Sequence, residues 1–466
     1  MNNHFYKYTR LLRYHLAGIL IIFSLFAKSA NPASGLSQEG LRIATFDIDV
    51  TPPIESFLAY GSATSVWDLG LRARGIVLLG AGQPIVLCSI DWIGIGNEGH
   101  DAFCSELAQA AGTTPERVAV HTVHQHDTPW CDFGAEQILR DVGFHPTKYE
   151  GTFNRDVIHR LGITVKNSLD NSTPVTHIGF GEAQVYQVAS NRRILGEDGH
   201  IRANRLSACP DSALRAEPEG LIDPIVSLVS FWNANQPVAV LSYYAVHPQS
   251  YYRTGVPNPD FPGIARFLRQ LEVPQALHIH FNGAGGNVAA GKYNDGSLEN
   301  RGIFAQRLAD GMKRAWEKTK RFPISTGQVQ WAVEPVSLPP AKYLNKLQDK
   351  NLPPDSLLVK CYAARLAWLR RCQAGKNINL GCLYLGKIRI LHLPGEPFVE
   401  YQLAAKAERK DLFVAVAGYG DYGPGYIGTA IAYEQGGYET SHVSNVSPEA
   451  ENMLMAAIRK LLHRII

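Results

Sequence analysis

The sequence lacks the features of membrane-spanning and nucleic-acid-binding proteins. Beyond the first thirty residues, no apolar run reaches the roughly 18 residues that a transmembrane helix requires. The formal net charge is only +3 over 466 residues, and no Lys/Arg-rich run or zinc-finger spacing is present. These absences argue against a nucleic-acid partner. With 45% hydrophobic and 19% charged residues, the composition is that of a globular protein with a large core.

The chain also lacks Cys-x-x-Cys pairs and a complete dinucleotide-binding fingerprint. Seven cysteines are present, and because this number is odd, at least one thiol stays outside any disulfide within the chain. The glycine-rich loop at 282–291 follows an apolar run, but Val288 stands where the fingerprint has its third glycine. We therefore expect these glycines to let the backbone approach a substrate closely.

The first thirty residues have the pattern of an export signal. Basic residues precede an apolar run at 16–27, and the small residues Ala27 and Ser29 follow the rule for a cleavage site. The pattern predicts a signal peptide over residues 1–30 and an exported, periplasmic or secreted protein over residues 31–466. The alternative is an uncleaved membrane anchor.

Strand-like and helical patterns alternate along the rest of the chain. Apolar runs with turn residues between them predict strands, and longer segments with a helical period predict helices. This alternation indicates an α/β fold, and no composition shift marks a second domain. We expect one large mixed-sheet domain with flanking helices. The predicted helices are 98–111, 153–168, 303–316, 357–374, 398–409 and 448–462.

Two histidines follow the apolar run at 117–123. If the strand extends to residue 126, His124 and His126 point to the same side, because alternate strand residues share a face. Two imidazoles in one cleft form half of a metal site or an acid/base pair. The alternative is a pair of hydrogen-bonded histidines in a loop.

Other polar residues also stand where apolar runs end. His247 follows the run at 238–246, and Glu396 follows the run that ends at Leu393. Two histidines and one carboxylate are the usual ligands of a hydrolytic zinc site. A loop rich in glycine and tyrosine at 418–438 contributes Tyr426, Tyr433 and Tyr438.

Two further charged positions have less specific patterns. Asp91 ends a predicted strand, and we favour a role in capping the next turn over a role in a site. Arg192 and Arg193 lie in a predicted loop, where adjacent arginines are usually solvated. They become functional only if one of them faces an anionic intermediate.

These motifs resemble, in the same order, those of the neutral/alkaline non-lysosomal ceramidases, zinc amidases that cleave the N-acyl bond of ceramide. Five short motifs carry the resemblance, and together they span most of residues 41–440. They are Val123–Pro129 (Thr-His-Thr-His-Ser-Gly-Pro in the family), Asn191–Arg193 (Asn-Arg-Ser), Ala245–Pro248 (Ala-Val-His-Pro), Pro394–Glu396 (Pro-Gly-Glu) and a tyrosine box matched by Tyr426, Thr429, Tyr433, Tyr438 and Glu439.

The resemblance implies a ceramidase-like catalytic domain with bound Zn²⁺ and assigns roles to individual residues. The zinc ligands it implies are His124, His247, Glu396 and Tyr426. The residues it places at the reacting centre are His126, Arg192 and Tyr438. The residues it places against the substrate are Gly286, Asn287 and Ala289.

The sequence departs from the family in two ways. Ala289 stands where ceramidases have a serine regarded as the nucleophile, and we expect no counterpart of their C-terminal β-sandwich domain. We therefore expect an exported hydrolase that uses a zinc-activated water on an amide (N-acyl, ceramide-like) or ester bond of a small-molecule or lipid substrate, with peripheral membrane contact. The alternative is a catalytically silent, zinc-containing protein that binds a lipid or glycan.

Overall fold

Three sheets form the centre of the molecule, and each contains one parallel strand pair at an edge. The computed structural model describes residues 40–348 and 357–464; the predicted signal peptide lies outside them. The described residues belong to one unit that spans Glu39–Ile466. The mixed α/β fold predicted from the alternating pattern is confirmed.

The first sheet has five strands and the second sheet also has five. In spatial order, the first contains Val118–Thr122, Ile85–Ile90, Arg72–Leu79, Arg42–Asp49 and Thr173–Pro174. The second contains Leu277–Asn282, Gln236–Tyr244, Ile225–Asn233, His177–Gln184 and Lys320–Pro323. In both sheets the first two strands are parallel and the other neighbours are antiparallel.

The third sheet has four strands, and its parallel pair lies at the end of the spatial order instead of at the beginning. Its spatial order is Val329–Val336, Ile378–Leu385, Ile388–His392 and Phe413–Ala417, with the last two strands parallel. Short two-stranded pairings complete the sheet structure, and two of them, Ser190–Asn191 with Val288–Ala289 and Glu396–Pro397 with Tyr426–Ile427, join segments of the predicted site.

Apolar side chains from all three sheets share one core. Leu87 of the first sheet, Leu241 of the second and Leu383 of the third are each fully buried in it. Burying one such side chain contributes about 1.5–3 kcal/mol. This common core fixes the sheets against one another and so fixes the edges where their parallel pairs end.

Ten α-helices surround the sheets in the described part of the chain. They are Glu98–Ala111, Phe133–Asp141, Thr152–Leu169, Ser212–Ala216, Asp260–Glu272, Glu299–Glu317, Leu357–Gln373, Val399–Glu408, Ala430–Gln435 and Ala450–Leu462. Over the described residues, every helix is too short or too polar to cross a membrane. All seven cysteines are free thiols.

The sequence patterns missed four helices. Phe133–Asp141 and Ser212–Ala216 lie where no helix was predicted, and Ala430–Gln435 lies in the predicted glycine- and tyrosine-rich loop at 418–438. Asp260–Glu272 was also missed, because Pro262 and Gly263 interrupt its helical pattern. Both residues lie in the first turn of the helix. A proline is tolerated there because the first N–H groups of a helix have no hydrogen-bond partner within it.

Candidate metal centre

The predicted site residues follow the parallel strand pairs. His124 lies two residues beyond Thr122 of the first sheet, and His247 lies three residues beyond Tyr244 of the second. Glu396 follows His392 of the third sheet by four residues. The carboxyl ends of parallel neighbours open at the same sheet edge, so each sheet contributes its loops to one region.

His124 is held in an uncommon backbone conformation. The strand ends at Thr122, so the prediction that it extends to residue 126 is wrong, and His124 has a positive φ of 73°. Its N–H donates to Trp92 O at 2.9 Å, and its Nδ1 donates to Ile93 O at 2.5 Å. With Nδ1 occupied by this proton, Nε2 presents its lone pair to the site.

The three histidines lie close enough together to share a metal ion. One ring nitrogen from each of His124, His126 and His247 lies within 4.8 Å of the others. The Nε2 atoms of His124 and His247 are 3.3 Å apart, while Nδ1 of His126 donates to Pro248 O at 3.1 Å. Burial and neighbouring basic groups, including Arg192, hold the pKa of His126 and of His247 well below the usual value, so both rings are neutral.

Glu396 completes this group with a carboxylate. Its Oε2 lies 3.3 Å from Nε2 of His124 and 3.6 Å from Nδ1 of His247. Its Oε1 accepts a hydrogen bond from the Tyr422 hydroxyl, but Oε2 is buried without a donor among the described residues. Strand pairing places Glu396 directly beside Tyr426.

The donor set fits a small divalent cation. A carboxylate oxygen and an imidazole lone pair repel each other at 3.3 Å unless a cation lies between them, and a buried carboxylate without a partner is costly. Zn–N and Zn–O bonds of about 2.0–2.1 Å at a tetrahedral angle place ligand atoms about 3.3 Å apart. The ligand spacing expected around zinc therefore agrees with the 3.3 Å between Glu396 Oε2 and His124 Nε2.

Arg192 and two tyrosines form the adjacent wall. The hydroxyls of Tyr426 and Tyr438 are 2.8 Å apart, and the Arg192 guanidinium lies 5.4 and 5.3 Å from their rings. Arg192 is only 1% exposed and pairs with Glu439 at 3.4 Å, so it is not a solvated loop residue. Burial raises the pKa of both tyrosines, which keeps the phenols protonated as donors.

A cavity of about 680 Å³ opens onto this group, and we call it the metal cavity. The predicted site residues that line it are His124, His126, His247, Glu396, Tyr426 and Tyr438. Arg192 lies directly behind the two tyrosines and reaches Gly286 O with its guanidinium.

The three residues expected against the substrate do not line the metal cavity. The Asn287 side chain donates to Glu400 at 2.9 Å and accepts from Val399 N at 2.9 Å, so both ends are occupied by protein. A Cβ on Gly286 would lie 2.3 Å from Glu396 O, so the glycine permits a close approach of two backbones. Ala289 forms a backbone bridge with His247. These contacts position the metal centre from behind, and direct substrate contact stays a prediction.

Two tyrosines of the centre were not singled out in the sequence. Tyr422 donates to Glu396, and the Tyr419 ring stacks on His124 with centroids 4.6 Å apart. Both belong to the glycine- and tyrosine-rich loop, which was the only available signal. The interpretation of Asp91 as a turn cap is wrong. Its carboxylate forms a buried ion pair with Arg266 at 2.7 Å. It also accepts a hydrogen bond at 3.1 Å from the side chain of Gln125, the residue between His124 and His126 in the sequence.

Comparisons with known proteins identify the fold. No protein-family model and no curated protein matches the chain. A neutral ceramidase from Pseudomonas aeruginosa matches with a TM-score of 0.65 and 17% identity over 92% of this chain and 75% of that one. A ceramidase complexed with C2 matches with a TM-score of 0.64 and 16% identity over 91% and 75% of the two chains. The chain therefore has the ceramidase fold, which confirms the predicted resemblance at the level of structure.

Proposed function

We propose that the protein is an exported, zinc-dependent hydrolase that cleaves an amide (N-acyl, ceramide-like) or ester bond with water. The observation that carries the proposal is the convergence of His124, His247 and Glu396, from three different sheets, on the wall of the metal cavity. Export rests on the signal-peptide pattern of residues 1–30. The ceramidase fold supports hydrolysis by analogy.

The chain supplies four candidate ligands. His124, His247 and Glu396 would hold Zn²⁺, with Tyr426 as the fourth ligand beside Glu396. When bound, the ion supplies Lewis acidity and lowers the pKa of water to about 7. Because Ala289 has no hydroxyl, water is the nucleophile in this proposal.

The remaining polar groups have separate tasks. The His126 ring keeps its Nδ1 proton on Pro248 O, which leaves Nε2 free to accept a proton from the nucleophile. The Tyr438 phenol donates a hydrogen bond to the negative charge that develops on the carbonyl oxygen. The Arg192 charge behind Tyr426 and Tyr438 favours that anion in a region of low dielectric.

The first experiment measures zinc by elemental mass spectrometry and hydrolysis of N-acyl amides and esters with and without chelator. We expect about one zinc per chain and chelator-sensitive turnover. His126→Ala should keep zinc but lower kcat about 10²–10⁴-fold, the usual contribution of a general base. Ala289→Ser is the matched control and should keep both zinc and the fold.

Two results would contradict the proposal. If zinc stays absent after reconstitution, the ligand assignment is wrong. If zinc binds but no amide or ester is turned over, the second candidate gains support: a zinc-containing lipid- or glycan-binding protein. The alanine at position 289, where ceramidases have serine, is the observation that favours this candidate.

A further inference from the structure

The metal cavity contains two cations without acidic partners. Lys148 and Arg365 both line it, and over the described residues neither has a carboxylate within 4.0 Å. Both side chains are half-buried, so water screens their charges only in part. Two other half-buried arginines, Arg72 and Arg74, have an acidic partner in Asp47.

Aromatic rings hold Lys148 at the cavity wall. Its ammonium lies 5.2 Å from the Trp130 ring centroid and 5.1 Å from the Tyr149 ring centroid. Cation–π contacts of this kind fix an ammonium without neutralising its charge. Burial, and to a lesser extent the neighbouring charge of Arg365, lowers the pKa of Lys148.

The cavity also presents hydrogen-bond donors without acceptors. The Trp130 indole N–H and the Ser207 hydroxyl are buried and have no partner among the described residues, although both side chains line the cavity. Ser207 is only 3% exposed. In the same described part of the chain, the lining also carries two unpaired acceptors, Oδ1 of Asn97 and Oδ1 of Asn204, so the two cations, and not these donors, favour an anionic group.

The two acids of the same wall are already engaged. Glu396 faces the histidines and Tyr422, while Asp132 accepts from Ala135 N at 2.9 Å and from the Asn97 amide at 2.7 Å. Burial raises the pKa of Asp132 well above its usual value, which reduces its negative charge. Neither acid therefore forms an ion pair that neutralises the charge of Lys148 or Arg365.

Lys148 lines the same cavity as the metal centre, on the far side of two aromatic rings. The His124 and Tyr422 rings are 5.6 Å apart, the Tyr422 and Trp130 rings are 4.9 Å apart, and Lys148 follows at 5.2 Å. Two aromatic rings therefore separate the metal ligand from the ammonium. A substrate that contacts both the metal centre and Lys148 therefore needs a spacer of several bonds between its scissile bond and its anionic group.

We propose that Lys148 and Arg365 form an anion subsite of the metal cavity, so that the substrate is an acyl amide or ester whose other end carries a carboxylate or phosphate group. This inference rests on the proposed hydrolase, since the subsite selects among its substrates. An uncharged substrate would leave Lys148 and Arg365 without a counter-charge in a partly desolvated cavity, at a cost in binding free energy.

The test compares three probes with the same acyl chain. They are N-octanoyl-6-aminohexanoate (carboxylate), N-octanoyl-5-aminopentylphosphonate (phosphate-like) and N-octanoyl-6-aminohexanol (neutral). We expect kcat/KM for the better anionic probe to exceed that for the neutral one about tenfold or more. The Lys148→Gln/Arg365→Gln double variant should lose this preference through a higher KM for the anionic probes.

Controls separate charge from folding and binding from turnover. The exposed Lys166→Gln is the matched charge control and should keep the preference. Lys148→Glu should reverse the preference, so that the neutral probe is hydrolysed faster than the anionic ones. A circular-dichroism melt shows whether each variant folds. Calorimetric binding of the probes to metal-free protein gives a readout that needs no catalysis.

The outcomes are distinguishable. Binding that prefers an anionic probe, without hydrolysis, supports the subsite and contradicts the hydrolase. Hydrolysis with equal rates for anionic and neutral probes contradicts the subsite and keeps the hydrolase. An anionic preference that survives in the double variant also overturns the assignment to Lys148 and Arg365.

Discussion

Two groups of buried histidines contact the same loop, and their hydrogen bonding differs. The Tyr419 ring stacks on His124 of the metal centre, while the preceding Gly418 carbonyl accepts a hydrogen bond from Nδ1 of His121 at 2.6 Å. His392 Nδ1 in turn lies 2.9 Å from His121 Nε2. The two groups have the same residue type and similar burial.

The hydrogen-bond directions explain why only one group fits a metal. In the second group, His392 donates to His121 and His121 donates to Gly418, so a proton lies in each short contact. In the metal centre, the His124 proton points away to Ile93, and Nε2 faces the Glu396 oxygen and His247. Buried histidine alone is therefore a poor signal of a metal site; lone pairs that face one another are a better one.

The largest expected effect comes from removing one histidine from each group. His124→Ala should reduce zinc from about one per chain to near zero, because it removes the ligand that contacts both His247 and Glu396. His392→Ala should leave the zinc content unchanged, although it costs about 1–3 kcal/mol of stability through the buried partner it leaves behind. Elemental mass spectrometry of both purified variants measures this difference. Equal zinc content in the two variants would show that the distinction between the groups is wrong.

A smaller effect is expected from the tyrosine that orients Glu396. Tyr422→Phe removes the donor to Oε1, and loss of such a supporting hydrogen bond typically weakens metal affinity about 10–100-fold. Tyr419→Phe is the matched control, because its hydroxyl has no partner in the described part of the chain and its ring still stacks on His124. Competition with a chelating dye measures both affinities. If both variants weaken zinc binding equally, the hydrogen bond to Glu396 is not the cause.

Sequence patterns predicted the long strands and most of the long helices because burial there is regular. Glu98–Ala111 has the predicted bounds, and the prediction for Thr152–Leu169 differs by one residue at each end. Asp260–Glu272 was missed because its proline and glycine are tolerated only in the first turn, which a period alone does not locate.

The site was predicted in part because functional side chains follow strand ends, which apolar runs mark in the sequence. The prediction placed His124 and His126 in one cleft, but for the wrong reason: the strand stops at Thr122, and the positive φ of His124 turns its ring inward. The burial of Arg192 depends on Glu439, which is far away in sequence. Such long-range pairs, and the partners of Tyr422 and Asp91, follow from the packing of three sheets and have no local signal.

The smallest expected effect is a pH dependence in the second histidine group. Burial lowers the pKa of His121 to about 4, whereas the unfolded chain has a histidine pKa of about 6.5. As the pH falls below about 6.5, the unfolded state binds the proton first, so this contribution to stability is lost progressively down to about pH 4. In metal-free His121→Phe, the free energy of unfolding should therefore fall less steeply over this range, by up to one proton. Urea unfolding from pH 7 to pH 4 measures the slope, and the exposed His159→Phe should keep the wild-type slope. An unchanged slope in His121→Phe would mean that His121 takes up its proton in the folded protein as readily as in the unfolded chain.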